Sequence, residues 1–153
     1  MAVALIAFLL GWFASQESLG GDVTGAVTAV GTPPELLSPS DHLKEDQIAV
    51  FEDKIIIYLD NVSWARLTDT NSMDPILDKW ANTLEIKPAS PENINPGDIV
   101  SYRHVNDTLI HRVIKTGHDD LGWYCLVKGD NADDPPASIR FEEINGLVVG
   151  ILY

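Results

Sequence analysis

From Gln47 onward the chain is a succession of short runs rich in Val, Ile, Thr and aromatic residues, cut every few positions by Gly, Pro, Asn or Asp. No helical period of useful length appears after residue 43. β-branched and aromatic side chains suit a pleated surface, and short strands joined by short turns point to an antiparallel arrangement. The expectation is therefore a mostly β domain, a coiled antiparallel sheet of barrel-like form. Residues 48–51 and 54–59 read as a hairpin, 61–67 and 84–87 as strands, and 98–102 with 108–114 as a second hairpin. Residues 123–128, 139–141 and 147–153 complete the set. The stretches 90–97, 117–122 and 129–138 read as turns or loops, from their Pro, Gly and Asp content.

Two different segments precede this domain. Residues 2–14 are almost wholly apolar, which is short of the roughly 20 residues that a membrane-spanning helix needs. The first Lys or Arg is Lys44, so the basic start of a cleavable leader is missing. No charge sets an orientation by the positive-inside rule. The segment reads as an N-terminal apolar helix over residues 1–19 that anchors the chain in membrane lipid, with self-association into a homo-oligomer as the other use. Residues 20–43, with Gly20, Gly21, Pro33, Pro34 and Pro39, read as a linker to a domain spanning 44–153.

Charge excludes some partners. Asp and Glu total 23 against 10 Lys and Arg, a formal charge of −13. Nucleic acid is excluded, because phosphate binding needs a basic surface. Electrostatic docking on anionic lipid is disfavoured for the same reason. The lone cysteine, Cys125, permits no intramolecular disulfide and reads as a small buried hydrophobe. His42, His104 and His118 lack partners at metal-ligand spacing, and there is no phosphate-cradling glycine loop. No metal and no cofactor is expected.

Three short stretches carry chemistry. Ser72 lies in Asp69-Thr70-Asn71-Ser72-Met73-Asp74-Pro75, where Pro75 stiffens the turn. His111 lies in Leu109-Ile110-His111-Arg112-Val113, and alternation puts it on the strand face of Leu109 and Val113. Asp130 lies in Lys128-Gly129-Asp130-Asn131, with Asp133 and Asp134 just beyond. A serine hydroxyl needs a nearby base to act as a nucleophile, and an imidazole serves that role. A carboxylate can orient such an imidazole. Taken singly, each residue also has a plain reading: a turn serine, a satisfied strand histidine, a turn aspartate.

Together, these stretches resemble the type I signal peptidases of the archaeal and endoplasmic-reticulum kind. The match rests on Ser72-Met73-Asp74-Pro75, Gly97-Asp98-Ile99-Val100-Ser101-Tyr102, Ile110-His111-Arg112-Val113 and Lys128-Gly129-Asp130-Asn131. Bacterial signal peptidases and LexA-type self-cleaving repressors place lysine where His111 stands. The resemblance implies a membrane-anchored serine endopeptidase with an extracytoplasmic catalytic domain, cutting the signal peptides of preproteins after small residues. It implies Ser72 as nucleophile, His111 as base and Asp130 as orienting acid. The Ser72 amide and Thr70 would form the oxyanion site, and Asp133 or Asp134 would be an additional acid. Thr70-Asn71 stands where the family usually has Ser-Gly or Thr-Gly. The alternative is a catalytically inactive peptidase-like β domain, serving as a membrane-tethered binding or self-assembling module. A LexA-like regulator is disfavoured by the acidic charge and the missing lysine.

Overall fold

The computed structural model describes residues 36–153. Nine strands follow in chain order: β1 (Ile48–Val50), β2 (Ile55–Ile57), β3 (Val62–Arg66), β4 (Asn82–Ile86), β5 (Ile99–His104), β6 (Asp107–Asp119), β7 (Gly122–Lys128), β8 (Ala137–Ile139) and β9 (Ile144–Leu152). Strands β1 and β2 form a two-stranded hairpin of their own, and the other seven form one sheet in the order β3-β4-β9-β5-β6-β7-β8. Every pairing is antiparallel. The mostly β expectation holds, but the barrel-like closure does not: among the described residues β3 and β8 are each paired on one side only, so the sheet is open. The N-terminal apolar helix expected over residues 1–19 lies outside the described residues. Among the described residues no helix is long and apolar enough to cross a membrane.

The middle of the large sheet is buried on both faces, so four successive residues of β5, Ile99 to Tyr102, are buried whichever way they point. One face carries Val100, Tyr102, Val113, Cys125, Val127, Ile139, Ile144 and Leu147. The other carries Ile99 and Val148, covered by Met73, Leu77 and Ala81 from the β3–β4 connection. Strict alternation would send successive residues of β9 to opposite faces, but two bulges interrupt it. The register slips between Leu84 and Glu85 in the β4–β9 pair, and between Ser101 and Tyr102 in the β5–β9 pair. Such slips bend the strand and re-aim the side chains beside them.

Besides shifts of a few residues at strand ends, three details differ from the sequence reading. Strand β6 runs through residues 117–119, which read as a turn, because after a slip at Ile114 it regains pairing with β7 from Lys115↔Leu126 to Asp119↔Gly122. Residues 141–143 form a 3-10 turn rather than the end of a strand. The last part of the span read as linker, residues 36–43, is held against the domain by polar backbone contacts. Arg112 Nη1 donates to the Leu37 carbonyl (3.0 Å) and the Ser40 amide donates to Asp98 (2.8 Å). Leu36 and Leu37 themselves remain exposed.

Leu147 is 1% exposed in the first cluster. Leu147→Ala is expected to lower unfolding free energy by about 2–5 kcal/mol. In urea titration the midpoint should fall with the slope unchanged.

Candidate active site

The serine turn is built inside the connection between β3 and β4. Asn71 takes φ of 56°, the left-handed region that asparagine tolerates better than most residues. The turn closes through amides of Ile76 and Leu77 donating to the Met73 carbonyl (3.2 and 3.0 Å). Buried Met73, Leu77 and Ala81 seat it on the sheet, and the Asp74–Pro75 peptide is cis. Ser72, half-buried beside Met73, shares a hydrogen bond between its Oγ and Thr70 Oγ1 (3.1 Å). Among the described residues its amide makes no hydrogen bond.

The loop after β7 docks directly on this turn. The Asn131 amide donates to the Ser72 carbonyl (3.0 Å), and Asn131 Nδ2 donates to the Asn71 carbonyl (3.0 Å). Gly129 is required by contact: a Cβ there would lie 2.5 Å from the Ser72 carbonyl oxygen. The Lys128-Gly129-Asp130-Asn131 stretch is thus physically joined to the Ser72 turn.

Asp130 takes a different partner from the one expected. Its two oxygens accept from Arg112 Nε and Nη2 (2.8 and 2.6 Å), with side chains 5% and 6% exposed respectively. No hydrogen bond links it to His111 among the described residues. The ring of His111 is paired instead through Nδ1 with the hydroxyl of Tyr102 (3.0 Å). Tyr102 is buried, and burial pushes its phenol above the ordinary value, so it stays neutral. Desolvation pulls His111 below its ordinary 6.5, opposed by the charges of Asp130 and Asp134 and aided by His104. Asp134 therefore reaches His111 only through its field. Both Asp133 and Asp134 are exposed.

His111 belongs to the β6 face of Leu109 and Val113, whereas Met73 and Ile110 belong to the opposite cluster. Ser72, Thr70 and His111 nevertheless line one cleft of about 720 Å³, with Leu67, Met73 and Ile110 among its apolar walls. No hydrogen bond joins Ser72 Oγ to the His111 ring. Along this cleft β6 has an edge left bare among the described residues. Its pairing with β7 begins only at Arg112↔Lys128, while its pairing with β5 extends to Asp107.

Tyr102 and Arg112 were both within the matched stretches, yet their contacts were not readable from spacing. Among the described residues no three His, Cys, Asp or Glu side chains converge as a metal site. No family model, curated protein or solved structure matches the chain.

Replacing Arg112 with Met strands the Asp130 carboxylate without its cation. The expected loss is about 3–5 kcal/mol of stability. Urea titration should show part of that loss recovered when Asp130→Asn is added.

Proposed function

We propose that the chain is a serine endopeptidase of the signal-peptidase type, held at a membrane by residues 2–14 with its catalytic domain on the extracytoplasmic side. The observation that carries this reading is the shared cleft, which has Ser72 and His111 in its lining. The shift of His111 below 6.5 keeps the imidazole neutral at neutral pH, as a general base requires. In the tautomer that serves, Nδ1–H donates to the Tyr102 oxygen and Nε2 offers its lone pair toward the cleft. The orienting task expected of Asp130 thus falls to Tyr102. Asp130 instead favours the imidazolium electrostatically, from its seat on Arg112.

The bare edge of β6 suits an extended peptide, which would add to the sheet through main-chain hydrogen bonds. Ser72 Oγ attacks the scissile carbonyl as His111 takes its proton. The Ser72 amide, otherwise unengaged, donates to the developing oxyanion. Thr70 aims the nucleophile through the 3.1 Å hydroxyl contact. His111 then returns the proton to the leaving amine, and water hydrolyses the acyl-enzyme. Hydrogen bonds of this kind commonly tighten only in the substrate complex, so the absence of a Ser72–His111 bond in the free protein is compatible with the reaction.

A second reading takes that absence at face value. Ser72 Oγ is engaged with Thr70 and His111 with Tyr102, an arrangement equally suited to a tethered peptide-binding module without turnover.

Incubation with a preprotein carrying a small-residue cleavage site separates the two readings. Ser72→Ala and His111→Ala should each abolish cleavage, and cleavage that survives both overturns the peptidase assignment. Tyr102→Phe should lower kcat/KM about tenfold, the equivalent of 1.4 kcal/mol, with the fold intact. The acid limb of the kcat/KM profile should have its midpoint below 6.5. The unfolded chain binds the His111 proton more readily than the folded one. This contribution to stability is therefore present above pH 6.5 and is lost as pH falls toward the folded-state value.

A further inference from the structure

The wall of the same cleft holds a carboxylate that the chemistry above does not use. Glu85 is the penultimate residue of β4, 5% exposed, and lines the cleft together with Ser72 and His111. Thr83 Oγ1 donates to one of its oxygens (2.8 Å) and Ser101 Oγ to the other (2.5 Å). Among the described residues no cation pairs with it. Arg66 also lines the cleft, but it is exposed, and no ion pair joins it to Glu85. An acidic group removed from water and left without a cation is costly.

The local backbone makes room for this group. The β4–β9 slip falls at Glu85 and the β5–β9 slip falls at Ser101, the donor to its second oxygen. Gly146 lies beneath: a Cβ there would sit 2.5 Å from Glu85 Oε2 and 3.2 Å from Ser101 Oγ. Two bulges, a glycine and two hydroxyls therefore converge on one carboxylate in the wall of a cleft. Each oxygen accepts one hydroxyl and retains further capacity to accept.

We propose that Glu85 receives a positively charged side chain, Lys or Arg, of the peptide that occupies the cleft. The peptide identity of the ligand rests on the peptidase reading above; the demand for a cation rests on Glu85 itself. The bound cation supplies the missing counter-charge and donates to the free lone pairs. The chain's net charge of −13 draws such ligands in. Specificity then includes one basic position near the cleavage point, in addition to small residues at the cut.

The test uses the full-length chain in detergent with Ser72→Ala, so that binding is read without turnover. The first probe is n-butylammonium, followed by amide NMR, with n-butanol as the uncharged control. Saturable shifts at Ser101 and Gly146 with the amine alone, lost in Glu85→Gln, are expected. Amine and alcohol acting alike, or neither acting, overturns the proposal. The second probe is a set of decapeptides with a small-residue cleavage point and a single Lys or norleucine moved through the flanking positions. At one position Lys should bind about tenfold more tightly than norleucine, with parity in Glu85→Gln. Equal binding at every position, or a lysine preference that survives Glu85→Gln, overturns it. The comparison within the Ser72→Ala background alone keeps the test decisive if Glu85→Gln fails to fold. A parent chain that cleaves nothing sinks the peptidase reading but leaves the butylammonium response standing. Cleavage without any lysine preference does the reverse.

Discussion

One guanidinium ties together the segments that form the site. Arg112 is 5% exposed and donates to both oxygens of Asp130, to the Gly97 carbonyl (2.8 Å) and to the Leu37 carbonyl. It therefore joins β6, the loop after β7, the turn before β5 and the segment leading in from the N-terminus. Only a planar fork with several fixed donors can serve so many acceptors; a lysine ammonium would satisfy fewer and with less directionality. Because Asp130 sits beneath Met73, through an amide–sulfur contact of 3.4 Å, the serine turn depends on the same node. Successive residues of β6 divide the work: His111 turns to Tyr102, and Arg112 reaches Asp130.

A second buried carboxylate secures the entry to the sheet. Asp98 is fully buried and accepts from the amides of Ser40 and Asn95 (both 2.8 Å), with His42 Nε2 at 3.0 Å. Its acceptor sites are occupied by two backbone amides and the His42 ring, in contrast to Glu85, whose donors among the described residues are two hydroxyls. The two acids separate a structural role from a receptive one by the kind of donor that surrounds each. Conventional alternation cannot create the receptive one, since it is the slips of β9 that open the space beside Gly146.

Much of the β architecture was legible, because Val, Ile and aromatic runs bounded by turn residues have few other uses. Strand β6 was read too short because Gly117 looked like punctuation, whereas it pairs with Tyr124 within the ladder. Closure of the sheet was not readable, since no local feature of β3 or β8 announces an open edge. Ser72, His111 and Asp130 were legible as residue types in matched stretches, but their partners were not. The resemblance offered Asp130 to His111, while Arg112 competes for it with a bidentate geometry that no pattern of letters encodes. Glu85 escaped notice because Leu84-Glu85-Ile86-Lys87 looks like a strand with its acid in water. In the fold the order is inverted, with Thr83 and Glu85 buried and Leu84 and Ile86 less so.

Cys125 sits in the centre of β7 among the first cluster, with no exposed surface, and burial pushes its thiol up to about 12. Thiolate is the reactive form, so the native sulfur is chemically silent toward alkylating reagents near neutral pH. A cysteine introduced at an exposed position such as Leu121 would then be modified alone, giving the folded domain a unique attachment point for a fluorophore or spin label without first removing the natural residue.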